Sequence, residues 1–167
     1  MIWQWSHRAD RRARRLADAH YSRQKPGAPQ FVPPGRCCVL YAETRAGAAY
    51  WVTSWPFAEY VKHDWAGAWV CSAFRNEGAG VASELIRQAV AASRAFWREQ
   101  PPGIVTFVDR EKVRPTMVRG HPVWGWTFRR AGFHEAGQTK GGLLALWMPR
   151  DEMPVAQPAL MPLEASA

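Results

Sequence analysis

The stretch from Ala68 to Val108 constrains the fold most, because it predicts a strand, a glycine turn, a helix and a second strand in direct succession. Ala68–Phe74 is an apolar run of strand length, and the two glycines of Arg75–Gly80 follow it at once. Ile104–Val108 is a continuous apolar run, which is typical of a strand buried on both faces. The apolar residues between the turn and this run recur at helical spacing: Ala82, Leu85, Ile86, Ala89, Ala92 and Phe96. A helix that crosses from one strand to the next predicts that the two strands are parallel.

The glycine turn is a candidate site for an anionic group. Its residues are Arg75, Asn76, Glu77, Gly78, Ala79 and Gly80. Two glycines allow the backbone to approach a ligand closely, and the free N–H groups and dipole at the start of the helix favour a phosphate. The alternative is an ordinary strand-to-helix connection that needs glycine only for its turn. Both interpretations stay open from these residues alone.

The remaining periodic segments predict a mostly antiparallel sheet. They are an edge strand at Ile2–Trp5, a hairpin of residues 37–43 and 48–54, a short helix at 124–131, and a closing hairpin of residues 133–138 and 143–148. Residues 55–67 and the basic stretch 110–121 show no clear period and are predicted as irregular connections. We therefore predict an α+β (mixed α/β) domain over residues 1–149, with a twisted, mostly antiparallel sheet, one parallel crossover pair and flanking helices. Residues 150–167 are predicted to be a disordered Pro/Ala-rich tail.

The net charge of +8 is concentrated near the N-terminus. Residues 1–36 contain eight Lys and Arg residues against two Asp and no Glu. The spacing of their apolar residues predicts an amphipathic helix from His7 to about His20, with Ser6 as its N-cap. The basic residues that are candidates for phosphate contacts are Arg8, Arg11, Arg12, Arg15, Arg23 and Lys25. The alternative is a solvated helix face with no ligand.

Three hydrogen-bonding side chains follow one another at the end of this helix. They are His20, Tyr21 and Ser22, and a basic Pro/Gly-rich loop comes next. Such a group beside a loop forms a candidate reactive cluster. The alternative is a helix C-terminus at which His20 interacts with the last carbonyl groups.

Several classes of protein are not indicated by the composition. No apolar run approaches the ~20 residues that span a bilayer, and the first residues lack the apolar core of a signal peptide, so we expect a cytoplasmic protein with no membrane partner. Cys37, Cys38 and Cys71 lack the spacing of a disulfide framework or a zinc site, and we expect reduced thiols. The chain has ten tryptophans, and any exposed ones are candidates for stacking on bases.

Taken in order, these elements resemble the GNAT N-acyltransferase fold. The resemblance rests on Arg75-x-x-Gly78-x-Gly80 as a pyrophosphate motif, on Val105–Val108 as a splayed strand, and on Ala131-Gly132-Phe133 as the end of the last helix. It implies that the glycine turn binds an acyl-coenzyme A donor through the backbone amides of its last four residues. Many GNAT enzymes carry a tyrosine four residues before this last glycine as a general acid, whereas this chain has Phe128.

A narrower resemblance is to phage and prophage DNA-modification proteins related to Mom. It rests on His20-Tyr21-Ser22 with its basic loop, on Phe74–Gly78 and on Thr139–Leu143. It implies a GNAT-like core that adds a carbamoylmethyl group to the exocyclic amine of adenine in DNA, with iron as a candidate metal. In this hypothesis His20 or Tyr21 accepts a proton or binds the metal, and Ser22 assists by hydrogen bonding. Asp109 then orients the amine or the metal.

Two other functions stay open at this level. One is an acyl-coenzyme A-dependent N-acetyltransferase that acts on a small amine or a protein, and the other is a non-catalytic DNA-binding protein with a GNAT-like fold. The DNA-modifying hypothesis implies double-stranded DNA as partner and a place in the cytoplasm of a bacterial host, at the nucleoid. The residues do not predict the donor, the metal, the preferred DNA sequence or the oligomeric state.

Overall fold

The computed structural model of the protein describes residues 1–162. Its strands are β1 (Gln4–Trp5), β2 (Cys37–Thr44), β3 (Gly47–Ser54), β4 (Trp69–Glu77), β5 (Gly103–Val108), β6 (Thr116–Val118), β7 (His121–Val123), β8 (His134–Gln138) and β9 (Leu144–Pro149). Its helices are α1 (Arg11–Asp18), α2 (Ala82–Phe96) and α3 (Trp126–Arg130). Seven strands form one sheet in the order β1-β2-β3-β4-β5-β9-β8, and β6 and β7 form a separate hairpin.

Strands β4 and β5 are the one parallel pair of the main sheet in residues 1–162. Their pairing covers only Trp69 to Cys71 on β4 and Ile104 to Thr106 on β5. Beyond that point β4 continues beside β3 and β5 continues beside β9, so the two strands separate. The prediction of a mixed, mostly antiparallel sheet with one parallel pair is confirmed. The separation opens the sheet at the end where β4 leads to α2.

Alternating side chains give the sheet two apolar faces. Leu40 and Trp51 point to the face that α2 covers, whereas Tyr41 and Tyr50 point to the face that α1 covers. This alternation follows from the period of two along a strand, and it explains why β2 and β3 are buried on both sides. Both helices are therefore held against the middle of the sheet, on opposite faces.

Helix α1 is shorter than the sequence predicts. Its N-cap is Asp10, whose carboxylate accepts the N–H of Arg12 at 2.9 Å, and Ser6 donates its hydroxyl to that carboxylate at 2.8 Å. The prediction of Ser6 as N-cap is therefore wrong, because Ser6 supports the capping residue instead. The helix ends at Asp18, so His20 lies beyond it in a turn.

Helix α2 agrees with the predicted crossover helix, and its buried face packs on the sheet. Helix α3 covers only Trp126–Arg130, because Gly125 stands before it with a φ of 67° and ends the preceding segment in the left-handed region. None of the helices in residues 1–162 has the length and apolar composition that a membrane crossing needs.

The basic stretch 110–121 is not an irregular loop throughout, as the sequence predicts. It contains β6, and the hairpin of β6 and β7 closes through the two residues Arg119 and Gly120. The strands have three residues each and no buried face, so they give no alternating pattern to detect.

The prediction that residues 150–167 form a disordered tail is wrong for residues 150–162. Arg94 donates to the carbonyls of Met153 and Pro154, and the side chain of Met153 is buried. Leu160 then exchanges backbone hydrogen bonds with Trp3 and Trp5, so this segment runs along α2 to the edge of β1. The residues that make these contacts lie in a Pro-rich segment, and such a composition is otherwise typical of disorder. Residues 163–167 lie outside the described part of the chain.

Candidate functional site

A cavity of about 520 Å³ lies where β4 and β5 separate. We call it the central cavity. Its wall includes Phe74, Arg75, Ala82, Arg114, Trp126 and Phe128. The start of α2 and the segment around α3 thus border one space. The lining combines apolar side chains, among them Phe74, Trp126 and Phe128, with the basic side chains of Arg75 and Arg114.

The trio of His20, Tyr21 and Ser22 lies beside this cavity. His20 and Tyr21 line the central cavity itself. Ser22 lines two neighbouring cavities, of about 420 and 540 Å³, and each of these also contains one of the other two residues. The trio therefore sits where three cavities adjoin. The trio follows α1 on its face of the sheet, and His20 and Tyr21 share the central cavity, which lies at the gap between β4 and β5, with Ala82 at the start of α2.

The imidazole of His20 is held in a defined state. Its Nδ1 lies 2.8 Å from the Ser22 hydroxyl and 3.2 Å from the Ser22 N–H. The N–H must donate, so Nδ1 is an acceptor and the neutral ring carries its proton on Nε2. Burial lowers the pKa of His20 below its usual 6.5, and the nearby charge of Arg75 lowers it further. His20 is therefore neutral at pH 7 and able to accept a proton.

Tyr21 differs from His20 in its protonation. Its ring stacks on that of His20, with 4.7 Å between the ring centres, and 42% of the residue is exposed. Burial of the remainder raises the pKa of the Tyr21 hydroxyl above 10. Tyr21 is thus protonated at neutral pH and able to donate a hydrogen bond, while its role as proton acceptor or metal ligand stays a prediction. Cys71, in the cavity wall, has a pKa that burial raises as well, so it is not a thiolate nucleophile.

Arg75 fixes the position of the trio. Its guanidinium donates to the carbonyl of Ala19 at 3.0 Å and to the carboxylate of Glu77 at 2.8 Å. These contacts tie the end of the α1 segment to β4. The sequence predicts Arg75 as a cofactor contact, but its side chain is engaged within the protein. The prediction for Glu77 concerns its backbone amide, which the ion pair of its side chain with Arg75 does not test.

The Arg75→Met variant is expected to raise the pKa of His20. Removing the positive charge stabilises the imidazolium form, so the ring keeps its proton to a higher pH. NMR titration of the His20 ring measures this shift directly. His7, for which the variant changes no contact, provides the internal control in the same spectra. An unchanged His20 pKa would contradict the electrostatic role of Arg75.

The glycine turn combines a tight connection with an open helix end. Gly78 has a φ of 90°, and a Cβ there would lie 3.0 Å from the carbonyl of Ala46, so this glycine is required by the turn. The side chain of Asn76 accepts the Ala79 N–H and donates to the Gly80 carbonyl. The prediction that Ala79 supplies a free amide is therefore wrong. Val81, the N-cap of α2, offers no side-chain cap, so the first N–H groups of the helix remain available.

Two alanine variants separate these roles. Gly78→Ala is expected to lower the free energy of unfolding by about 1–3 kcal/mol, because alanine is strained at this φ. Gly80→Ala is expected to leave it unchanged, because the nearest atoms are 3.7 Å away on Leu85. Gly80→Ala is also expected to weaken coenzyme A binding about tenfold. The added methyl group keeps a phosphate from approaching the α2 amides, and one charge-assisted hydrogen bond is lost. Thermal unfolding and calorimetric titration with coenzyme A test the two effects separately.

The predicted phosphate-contacting residues divide into two groups. Arg8, Arg12 and Arg23 are used internally. Arg8 donates to the Gly35 carbonyl, Arg12 pairs with Asp10, and Arg23 binds Asp18 with only 10% of its side chain exposed. Arg23 is therefore a structural residue and a poor phosphate contact. The members that remain for a polyanion are Arg11 and Lys25, together with Arg15, whose exposed side chain also faces Glu77 at 3.5 Å.

Iron binding stays a prediction, and no cluster of His, Cys, Asp and Glu in residues 1–162 supports it. Asp109 lies just after β5, and its carboxylate accepts the N–H of Glu111 and faces Lys112 at 3.8 Å. Nδ1 of His20 is already an acceptor for Ser22. Across residues 1–162, no three His, Cys, Asp or Glu side chains converge as metal ligands. Asp109 borders a cavity with Tyr21 and Ser22, so a role in orienting an amine stays a prediction.

The tryptophans do not form an exposed stacking surface. All ten lie within the described residues, and each is buried or half-buried. Trp126 and Phe128 line the central cavity, where Phe128 stacks edge-on against Phe74 at 6.1 Å. Sequence reasoning did not select Trp126 or Arg114 as site residues. In the sequence, only their position between the second parallel strand and the final Gly-Phe indicates that they belong to the site.

No protein-family model, no curated protein and no solved structure matches this chain. The case for a function therefore rests on the cavity, its side chains and the charges around it.

Proposed function

We propose that this chain is a GNAT-like transferase that modifies the exocyclic amine of adenine in double-stranded DNA, as the Mom-related proteins that it resembles do. One observation carries the proposal. His20 and Tyr21 line the same cavity as Ala82, the first residue of α2. A proton acceptor, a proton donor and the amide-rich end of a helix thus face one space.

The side of the cavity formed by β4 and the start of α2 is the proposed binding site of the group donor. It supports the proposal because part of the β4 backbone there has no partner strand. Beyond Cys71, β4 has no partner on the side of β5. The N–H and C=O groups that face this gap, other than the Phe74 carbonyl that contacts His20, are able to bind an extended amide chain such as that of coenzyme A. The uncapped first turn of α2 favours the phosphates of such a donor. The identity of the donor is part of the proposal.

The acceptor side supplies a path for the proton that the amine loses. In this proposal the amine nitrogen forms a bond to the transferred carbon while its proton passes to the Ser22 oxygen. The Ser22 hydroxyl proton passes to Nδ1 of His20, 2.8 Å away. The carbonyl of Phe74 favours the resulting imidazolium. The bond from carbon to the leaving group breaks, and the leaving atom takes the proton of Tyr21.

This assignment also accounts for Phe128 at the position where many GNAT enzymes carry a tyrosine. Phe128 and Tyr21 line the same cavity. The raised pKa of Tyr21 keeps its hydroxyl protonated at neutral pH, as a general acid requires. The phenol comes from the turn after α1 and not from α3.

The charge around the cavity favours a polyanionic acceptor over a small amine. Arg15 lies 3.5 Å from Glu77 at the glycine turn, which places α1 beside the mouth of the cavity. Residues 112–134, several of which line the cavity, contain five Lys and Arg residues and no Asp or Glu, and two of the five, Lys112 and Arg129, face Asp109 and Glu135. Duplex DNA presents a phosphate about every 1.7 Å, so two flanking basic surfaces hold it across the cavity. The target adenine is then extruded to reach His20.

Mass spectrometry of nucleosides from bacterial cells that express the chain tests the proposal. We expect a new modified deoxyadenosine that disappears with the His20→Ala variant. Unmodified DNA together with tight acetyl-coenzyme A binding would favour an N-acetyltransferase for a small amine or protein. Unmodified DNA, no coenzyme A binding and salt-sensitive duplex binding would favour a non-catalytic DNA-binding protein.

A further inference from the structure

The β6–β7 hairpin, which we call the arm, is not hydrogen-bonded into the main sheet, although Pro122 and Val123 line a small cavity with Glu135 and Leu144. Its strands pair only with each other among the described residues, through Thr116–Val123, Met117–Pro122 and Val118–His121. Both ends of the arm lie in the wall of the central cavity, to which Arg114, Thr116 and Gly125 contribute. The arm therefore begins and ends at the site, and its tip at Arg119 and Gly120 is exposed.

The tip of the arm has an unusual residue for its conformation. Arg119 has a φ of 50° and Gly120 a φ of 80°, which are the angles of a type I′ turn. Such a turn favours Asn-Gly, and Arg119 is the one non-glycine residue with positive φ in residues 1–162. Arg119 is exposed, and no atom lies within 4 Å of a Cβ built on Gly120. An unfavourable residue held at an open tip points to a role outside the fold.

The dimensions of the arm match one groove of DNA. A strand of three residues spans about 10 Å, and the major groove is about 8.5 Å deep. That groove is about 12 Å wide and admits a two-stranded ribbon, whereas the minor groove of undistorted DNA is only about 6 Å wide. The exocyclic amine of adenine also lies in the major groove. An arm anchored at the cavity therefore reaches the floor of the groove beside the target base.

We infer that the arm enters the major groove and that Arg119 reads a guanine next to the modified adenine. The inference rests on the proposed function, because it assigns the sequence preference of that same site. A guanidinium forms two parallel hydrogen bonds with O6 and N7 of guanine, which no other base pair offers in that geometry. The absence of acidic residues from 112 to 134 leaves the whole arm compatible with DNA. Exposed α1 arginines contact phosphates and carry no sequence information.

Selection from a random duplex library by the full chain, followed by sequencing, tests the inference. We expect guanine at one position of the bound pool to be enriched roughly tenfold or more over the other bases. Arg119→Asn keeps a residue that suits the turn, so the chain stays folded while this enrichment is lost. Arg119→Lys retains the positive charge but lacks the planar guanidinium that forms two parallel hydrogen bonds. This variant is expected to keep the overall affinity for DNA and to lose the guanine enrichment.

Two control variants distinguish base recognition by Arg119 from nonspecific electrostatic binding to DNA. Arg98→Asn removes an exposed arginine beyond the far end of α2 and is expected to leave the enrichment intact. Arg11→Ala is expected to weaken binding to all sequences equally and to reduce its salt dependence. A guanine preference that survives Arg119→Asn, or duplex binding by the wild type with no base preference, would overturn the inference. Failure of the wild type to bind duplex DNA at all would overturn the proposed function as well.

Discussion

The His20→Gln variant is expected to reduce the modified deoxyadenosine at least about 100-fold, the contribution of a positioned general base. Glutamine still fits the half-buried position beside Ser22, but it cannot take up a proton at physiological pH. DNA binding is expected to stay unchanged, because His20 is not among the exposed basic residues. Nucleoside mass spectrometry gives the first result, and filter binding to duplex DNA gives the second.

His63→Gln is the matched control for this prediction. Burial lowers the pKa of His63 as it lowers that of His20, and its ring packs against Phe107 with 5.0 Å between centres. It does not line the central cavity, so the variant is expected to retain full modification. Equal losses in both variants would show that His20 acts through packing and would refute its role as base.

The pH dependence of the reaction follows from the same residue. The pKa of His20 lies below 6.5, so the neutral ring persists at pH 7 and is lost only as the pH falls through that lowered pKa. Activity is therefore expected to be complete at neutral pH and to decline on the acid side of 6.5. In the Arg75→Met variant, the loss of activity on the acid side of the pH profile is expected to begin at a higher pH, because the pKa of His20 rises.

The sequence predicts the parts of the fold that bury an apolar face. Helix α2 and the strands β2, β3 and β5 follow from spacing alone, because each packs against the sheet or within it. The arm was missed for the opposite reason. Its residues are exposed or half-buried, and its turn is Arg-Gly, which is not a strong hairpin signal.

The candidate site could be predicted only in part. The order of residues indicates that His20, Tyr21 and Ser22 form a cluster, and the structure places that cluster at the cavity. Sequence does not reveal whether a polar side chain binds a ligand or the protein itself. Arg75 and Asn76 were therefore selected as cofactor contacts, whereas both hold backbone groups of their own chain.

Gly47→Ala is expected to be among the most destabilising single changes in the sheet. A Cβ at this position overlaps the carbonyl oxygen of Glu77, which is backbone and cannot rotate away. The turn between β2 and β3 must then move from the end of β4, at a cost of about 3 kcal/mol. For a chain of this size, that corresponds to a fall of about 6–12 °C in the unfolding midpoint.

The functional consequence reaches beyond stability, because Glu77 and Gly78 begin the connection to α2. A shift of their backbone displaces the first turn of that helix from the cavity, so coenzyme A binding is expected to weaken even at temperatures where Gly47→Ala is folded. Gly141→Ala is the matched control: its nearest neighbour is the Thr139 hydroxyl at 3.9 Å, so its midpoint is expected to match the wild type. If calorimetry finds the same midpoint for both variants, the close packing of the β2–β3 turn on the glycine connection is refuted. In that case the β2–β3 turn does not hold the glycine connection, and with it the start of α2, in position.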